Sequence, residues 1–211
     1  MLLNRSAEDM VPAGRVLLHT CCAPCSGAIL EWMMARGIRP TVYYFNPNIY
    51  PYEEYLTRRQ ECARYAEELG LEWVEAAYDH AFWLHTVQGM EQEPECGRRC
   101  MACFRMRLKA AAEYASAHGF QVLTSTLDSS RWKDHGQIIE AGREATAGFP
   151  DVTFWEKNWR KGGLQERRQA ILREKGFYNQ TYCGCEFSRS AQESRTVRSA
   201  GRTAPPTQSV I

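Results

Sequence analysis

Three cysteines lie between the first strand-like segment of the chain and its first helix-like segment. They are Cys21, Cys22 and Cys25, within the stretch 19–26, and the apolar run Val16–Leu18 precedes them. In open α/β sheets, ligands bind at the carboxyl ends of the strands, which is where this turn falls. Backbone N–H groups and the positive end of the following helix favour anions there, so thiols ionise more easily. Because a disulfide needs two Cβ atoms that face one another, the adjacent pair is poorly placed to form one. The pattern therefore predicts one part of a metal–sulfur site.

Two later groups of cysteines complete the set. The second group is Cys96, Cys100 and Cys103, and the third is Cys183 and Cys185, which flank a glycine. A helix that has formed by residue 100 places the thiols of Cys100 and Cys103 one turn apart on one face. That face continues through Phe104, Leu108, Ala111 and Ala115. We therefore expect these two thiols to point towards the sheet, at a helix start whose dipole favours thiolates.

Together, Cys21, Cys22, Cys100 and Cys103 offer four thiolates. Four thiolates suit either a structural zinc or an iron–sulfur cluster. An adjacent pair is expected to be awkward for tetrahedral zinc, whose ligands lie only ~2.3 Å from the metal. Ligand softness and the wider spread of a cubane favour a 4Fe–4S cluster.

The Cys183-Gly184-Cys185 segment allows two interpretations. With Cys25 it offers three ligands for a second metal. Alternatively it forms a redox-active disulfide, since glycine permits the sharp bend of so small a ring and a strained disulfide is easily reduced. Cys62 lies on an apolar helix face and is expected to be a core residue.

Two other classes of protein remain as alternatives. The spacing of Cys96, Cys100 and Cys103 is C-x3-C-x2-C, which radical S-adenosylmethionine enzymes use, although those enzymes usually place it after the first strand of a larger barrel. A non-catalytic, zinc-stabilised RNA-binding module would use the same thiols. An ATP-dependent sulfur transferase is disfavoured, because no glycine-rich phosphate loop follows the first strand.

Length, charge and the lengths of the apolar runs narrow the possible classes of protein. The chain has 211 residues and a formal charge of +1, so overall charge predicts no partner. Its apolar runs fall short of the ~18 residues that a membrane helix needs, and the first 14 residues lack the apolar segment of a signal peptide. We therefore expect a cytoplasmic protein. In that compartment nine cysteines indicate metal or redox sites rather than a disulfide framework.

Strand-like and helix-like segments alternate five times. The predicted strands are Val16–Leu18, Thr41–Phe45, Leu71–Ala76, Val122–Thr126 and Val152–Trp155; the predicted helices are about 26–36, 55–69, 99–118, 138–144 and 163–175. This order predicts an α/β fold, with an open, mostly parallel sheet, helices on both faces and the thiols at the carboxyl ends of the strands. We expect a single catalytic domain at 15–189, a flexible N-terminus at 1–14 and a flexible C-terminal tail at 190–211.

Six motifs, in order along about residues 15–190, make the chain resemble the epoxyqueuosine reductases of the QueH type. They are HTCCAPCS at 19–26, FNPNI at 45–49 with Glu53, Tyr55 and Arg58, RCMAC at 99–103 with Arg105 and Arg107, TSTLDSS at 124–130, WRKGG at 159–163, and YNQTYCGCEFS at 178–188. The CCAPC and YCGC segments together are highly specific.

The resemblance implies a fold related to the nucleotide-binding α/β domains of tRNA-thiolating enzymes. It implies a 4Fe–4S cluster held by Cys21, Cys22, Cys100 and Cys103. It also implies reduction of the epoxide of epoxyqueuosine to queuosine at the tRNA wobble position. The family's further cysteine pair, here 183 and 185, is a redox disulfide or binds an additional mononuclear iron or zinc. Cys96 and Asn158 depart from the family pattern.

The reaction needs two electrons and protons, and a cluster normally passes one electron at a time. A second redox element or a rapid second delivery of an electron is therefore needed, and Cys183 and Cys185 are candidates to supply it. Alternatively, these two cysteines and Cys25 hold a metal that binds the epoxide oxygen as a Lewis acid. Asp128 and Tyr182 are candidate proton donors by position, although for Tyr182 the favoured interpretation is a packed aromatic whose hydroxyl bonds to the backbone. The electron donor is not identified by the sequence.

The tRNA partner is expected to contact cations that flank the motifs. These are Arg131, Lys133, Arg160 and Lys161, with solvated surface charge as the alternative for each. Tyr44 or Trp132 is expected to stack on the wobble base.

Overall fold

The strand-like segments pair in parallel, as predicted. A computed structural model, which describes residues 11–130 and 133–201, contains one five-stranded sheet of order β3-β2-β1-β4-β5. The strands are β1 Val16–Thr20, β2 Thr41–Tyr44, β3 Trp73–Glu75, β4 Val122–Ser125 and β5 Thr153–Phe154. Every neighbouring pair is parallel. The strand order reverses between β1 and β4, so the carboxyl ends of these two strands flank the crevice where open α/β sheets bind ligands.

Seven helices lie within the described residues. They are α1 Ala23–Met34, α2 Tyr52–Glu68, α3 His80–Thr86, α4 Arg98–Ala117, α5 His135–Thr146, α6 Leu164–Glu174 and α7 Glu186–Gly201, with a 3-10 helix at Thr126–Ser129 after β4. Two of them, α3 and α7, were not predicted. Helix α7 crosses the predicted boundary of the domain at residue 190, and the division into a domain and two flexible ends stays a prediction.

Both faces of the sheet are covered, which confirms the predicted layers. On β1, Leu18 faces a core that includes residues of α1, α2 and α6, whereas Leu17 faces one that includes residues of α4 and α5. The apolar face predicted for α4, which includes Phe104 and Leu108, is buried. Burial of a leucine or phenylalanine side chain contributes about 1.5–3 kcal/mol, so these two cores hold the carboxyl edge of the sheet in place. No described helix is both long and apolar enough to cross a membrane.

Candidate metal centre

The turn after β1 is built by its own sequence. The strand ends at Thr20, Cys22 is the N-cap of α1, and Pro24 occupies the first turn of the helix. Proline is favoured there because its missing N–H would have no intrahelical acceptor. The backbone N–H groups of Cys25 and Ser26 both donate to the Cys22 carbonyl oxygen, at 3.2 Å each. The first helical turn therefore brings the thiol of Cys25 back over the thiols that precede it.

The sulfurs of Cys21, Cys22 and Cys25 all lie within 4.8 Å of one another, and the three residues are buried. The Sγ atoms of Cys21 and Cys22 are 3.8 Å apart. From the end of β4, the Thr126 hydroxyl lies 3.5 Å from Cys21 Sγ, and its oxygen accepts the Cys21 N–H at 3.2 Å. The group therefore lies at the carboxyl end of β1, as the sequence predicted, and the structure adds that the strand order reverses there.

The pKa of the Cys21 thiol differs in direction from those of Cys22 and Cys25 because of its hydrogen bonds. Hydrogen bonds from Cys22 and Cys25 lower the pKa of Cys21 well below its ordinary value, and they outweigh the effect of burial. Burial raises the pKa of Cys22. The hydrogen bond to Cys21 raises the pKa of Cys25 to about 11. Of the three thiols, Cys21 is therefore the one whose pKa its neighbours depress.

A second group of thiols gathers beside α4. Cys103 packs with Cys185 in an apolar cluster that also includes Trp83 of α3. Burial, together with charges on Cys183, Cys103 and Cys185, raises the pKa of Cys100 to about 12. These contacts place Cys103 against α3 and the third cysteine stretch, whereas the sequence predicted that it would point towards the sheet.

The predicted four-thiol set is therefore divided between two groups. Among the described residues, Cys100 and Cys103 do not join Cys21 and Cys22 within 4.8 Å, and Cys25 does. Cys100 nonetheless packs against the apolar cluster that contains Cys21 and Cys22. All three stretches of cysteines thus contribute to one end of the sheet, and the assignment of particular ligands stays a prediction.

The Cys183-Gly184-Cys185 turn is docked by Arg58 of α2. Its guanidinium donates to the carbonyl oxygens of Cys183 at 3.1 Å and Tyr182 at 3.2 Å. A Cβ at Gly184, where φ is 140°, would meet Arg58 Nη1 at 3.3 Å and Asn48 Nδ2 at 3.2 Å. The turn therefore requires glycine both for its backbone angle and for its close fit.

Lys133, predicted to contact tRNA, lies among the thiols instead of on the surface. It is only 8% exposed. Its ammonium group is in electrostatic range of Cys21, Cys183 and Cys25, which together oppose the effect of burial and raise its pKa. No described carboxylate pairs with it. Its burial favours a role in balancing thiolate charge, and its contact with tRNA stays a prediction.

The other predicted tRNA contacts differ in their surroundings. Arg160 is engaged internally: it donates to the Asp128 carbonyl oxygen at 2.7 Å, to the Asp128 carboxylate at 3.1 Å and to the Lys133 carbonyl oxygen at 2.7 Å. Lys161 is exposed. Arg131 lies outside the described residues, as does Trp132.

The candidate proton donors are both held by protein contacts. The Asp128 carboxylate lies 2.8 Å from His135 Nδ1 and accepts a hydrogen bond from the Arg160 guanidinium at 3.1 Å. Tyr182 donates its hydroxyl to the Tyr50 carbonyl oxygen at 2.6 Å, which matches the interpretation of a packed aromatic. Tyr44 is fully buried, so it is poorly placed to stack on a base.

Two residues that contact the site were missed as site residues. Gln180 donates its amide Nε2 to Cys22 Sγ at 2.8 Å. His19 is buried beneath the turn, where its Nδ1 lies 2.8 Å from Ser125 Oγ, and burial lowers its pKa to about 3. Both residues lie in motifs that the sequence analysis selected for their cysteines. A polar side chain close to a cysteine in these motifs could therefore have identified them as site residues.

The spacing of the sulfurs fits a thiophilic metal. A tetrahedral site with ~2.3 Å bonds separates its sulfurs by roughly 3.8 Å, and the Cys21–Cys22 distance is 3.8 Å. Adjacent cysteines are therefore less awkward for a single metal ion than the sequence suggested. The donor set alone suits either one metal ion or an iron–sulfur cluster.

The fold and site define an α/β protein with a thiol-rich centre at the switch point of a parallel sheet, suited to a soft metal. A family model described as epoxyqueuosine reductase QueH matches residues 16–191. A curated relative of that name from Haemophilus influenzae is 49% identical over 174 residues, which are 82% of this chain and 71% of the relative. The relative from Acinetobacter baylyi is 44% identical over 176 residues, 83% and 81% of the two chains. One from Staphylococcus epidermidis is 32% identical over 186 residues, 84% and 77%. The chain belongs to the epoxyqueuosine reductase QueH family, which confirms the resemblance.

Proposed function

We propose that this chain is an epoxyqueuosine reductase, an oxidoreductase that acts on tRNA. It converts the epoxide of epoxyqueuosine at the wobble position into the alkene of queuosine. Family membership supports the reaction, and the observation that carries it to this chain is the gathering of three cysteine stretches at the sheet's switch point. The alternatives, a zinc-stabilised RNA-binding module and a radical enzyme, are not favoured by the family match.

The reaction sets what the site must supply. Opening the epoxide to an alkene takes up two electrons and two protons, and the oxygen leaves as water. Zinc has no redox chemistry, so a zinc site alone cannot supply the electrons. We therefore propose a 4Fe–4S cluster on Cys21, Cys22, Cys100 and Cys103, which when bound would deliver electrons singly.

Cys25, Cys183 and Cys185 are proposed as the second functional set. They would hold an additional mononuclear iron or zinc, or Cys183 and Cys185 would form a redox-active disulfide. The proximity of Cys25 to Cys21 supports a role beside the cluster. The Lys133 ammonium group interacts electrostatically with both Cys25 and Cys183. This indicates that the first and third cysteine stretches lie close to the same buried region.

The chain's own residues prepare the site for charge. Buried Lys133 offsets thiolate charge, and Arg58 holds the Cys183 carbonyl oxygen in place. Burial of the three thiols after β1 excludes water, which strengthens every electrostatic interaction there. The electrons must come from an external reductant, whose identity the chain does not reveal. The cytoplasmic location stays a prediction.

The surface beside the third cysteine stretch is the proposed side of approach for the tRNA. Tyr50 and Tyr52 are half-exposed, and Tyr50 lies at this stretch, where its N–H donates to the Gly184 carbonyl oxygen at 2.8 Å. Exposed aromatic rings can stack on unpaired bases. Lys161 remains a proposed phosphate contact, as does Arg131.

Activity on the modified tRNA tests the proposal. The protein, purified without oxygen, is incubated with tRNA that contains epoxyqueuosine and a low-potential reductant, and the nucleosides are analysed. We expect queuosine from the wild type and from Cys62→Ala, because Cys62 is a core residue of α2. Cys183→Ala is expected to lose activity at least ~100-fold, typical of the loss of an essential catalytic group. Failure of the iron-loaded wild type to form queuosine would contradict the function.

A further inference from the structure

Gln180 is the polar side chain that bridges the third cysteine stretch to the first. Its Nε2 lies 2.8 Å from Cys22 Sγ, across 158 positions in sequence. Its Oε1 is buried and has no hydrogen-bond partner among the described residues. The amide nitrogen therefore donates a hydrogen bond to sulfur, whereas the amide oxygen accepts none from the described residues.

This one-sided use is costly for a purely structural residue. A buried carbonyl oxygen without a donor costs about 1–3 kcal/mol, and an apolar side chain of similar size would avoid that cost. The contact with sulfur is the only interaction among the described residues that accounts for the amide. A thiolate that ligates a metal has no hydrogen to donate, so the N–H···S orientation suits a metal-bound Cys22.

The physical effect of such a donor is known in direction. Hydrogen bonds to ligand sulfurs withdraw electron density and help set the reduction potential of iron–sulfur centres. Neighbours that contact metal ligands also fix ligand orientation and metal affinity. Cys22 is buried, so water does not replace the donor if it is removed.

We propose that Gln180 is a positioning residue for Cys22, and that its amide raises the reduction potential of the centre that Cys22 ligates. The inference rests on the proposed iron–sulfur cluster. It adds to that proposal a residue that no cysteine pattern identifies.

The test is a redox titration of the full-length protein, loaded with iron and sulfide without oxygen and followed by the electron paramagnetic resonance of its reduced form. Gln180→Leu keeps the size of the side chain and removes the donor. We expect its equilibrium constant for reduction to fall about tenfold, which is ~59 mV for a one-electron couple. Gln180→Asn keeps the amide but is one methylene too short, and should shift in the same direction. Gln169→Leu, an exposed position on α6, is the matched control and should not shift.

The outcomes separate the inference from the proposed function. Iron loss from folded Gln180 variants, with iron retained in Gln169→Leu, also supports a positioning role. Unchanged potential and unchanged iron content in both Gln180 variants would overturn the inference and leave the cluster standing. An unfolded circular dichroism spectrum in both would mark Gln180 as structural and overturn it as well. A wild type that binds no iron would contradict the cluster itself, and the inference with it.

Discussion

At the scale of single residues, the buried cation Lys133 is the feature that most changes the interpretation of the site. The sequence suggested a surface contact with tRNA, because Lys133 flanks a family motif. Its burial, and the thiols within range of its ammonium group, favour an internal role. The two roles make different predictions for binding.

Lys133→Met and Lys161→Ala separate these roles. We expect Lys133→Met to leave tRNA affinity and its dependence on salt unchanged while activity falls. Lys161→Ala removes an exposed charge, and we expect weaker binding with the slope of log affinity against log salt reduced by about one. Fluorescence anisotropy with labelled tRNA at several salt concentrations measures both. A smaller salt slope for Lys133→Met would restore the surface role.

At the scale of elements, helix α2 anchors the third cysteine stretch through Arg58. Its guanidinium reaches two carbonyl oxygens of the turn and the Glu54 carboxylate, the last at 2.7 Å. Lysine offers a point charge in place of this planar fork, so it cannot make all three contacts.

Arg58→Lys should therefore destabilise the fold by about 1–3 kcal/mol, since buried carbonyl groups lose their donors. Arg59→Lys is the matched control on the next residue of α2, where the side chain is 36% exposed and paired with Glu75. An exposed pair contributes about 0–1 kcal/mol, so the control should change little. Urea unfolding gives both values. Equal losses in the two variants would show that Arg58 does not anchor the turn.

Tyr65 of α2 links the same helix to stability at high pH. Burial raises its pKa to about 12 from an ordinary value of 10, and its ring packs edge-on against Phe177 at 5.1 Å. Between pH 10 and 12 the unfolded chain loses this proton and the folded chain keeps it, so stability falls as pH rises.

Tyr65→Phe removes this dependence. Above pH 10 the free energy of unfolding should decline less steeply in the variant than in the wild type, by up to one proton's worth of slope. Denaturant unfolding at steps of half a pH unit measures it. Below pH 9 the two slopes should coincide, and a persistent difference there would point to another group.

The alternation of strands and helices was predictable because each segment carries its own periodicity and stop signals. Helix α3 was not, because it spans only His80–Thr86 and its signals are local: Asp79 caps it, accepting the Phe82 N–H at 2.8 Å. Its importance comes from Trp83, which packs on Cys103 and Cys185. That contact joins distant parts of the chain, so no local pattern reveals it.

At the scale of the whole molecule, the reversal of strand order between β1 and β4 explains why cysteines from distant stretches meet. The sequence predicted the meeting place, since thiols end one strand and begin two helices. It did not predict the grouping. Cys25 was assigned to a second metal, yet one helical turn returns it to Cys21 and Cys22, within 4.8 Å. Contacts between residues far apart in sequence could not be predicted from local patterns. The hydrogen bond from Arg58 to the Cys183 carbonyl oxygen, across 125 positions, is an example.

The central claim is that these thiols build one iron–sulfur redox centre. Iron and acid-labile sulfide, measured per chain after purification without oxygen, test it most directly. We predict about four sulfides per chain with about four irons, as for a 4Fe–4S cluster, or one iron more where the second set of cysteines also binds iron. The sulfide is expected to be retained in Cys62→Ala and in Cys96→Ala and lost in Cys21→Ser. A colourless wild type that holds a single tightly bound zinc would contradict the account, as would a Cys96→Ala variant that loses its iron while Cys21→Ser keeps it.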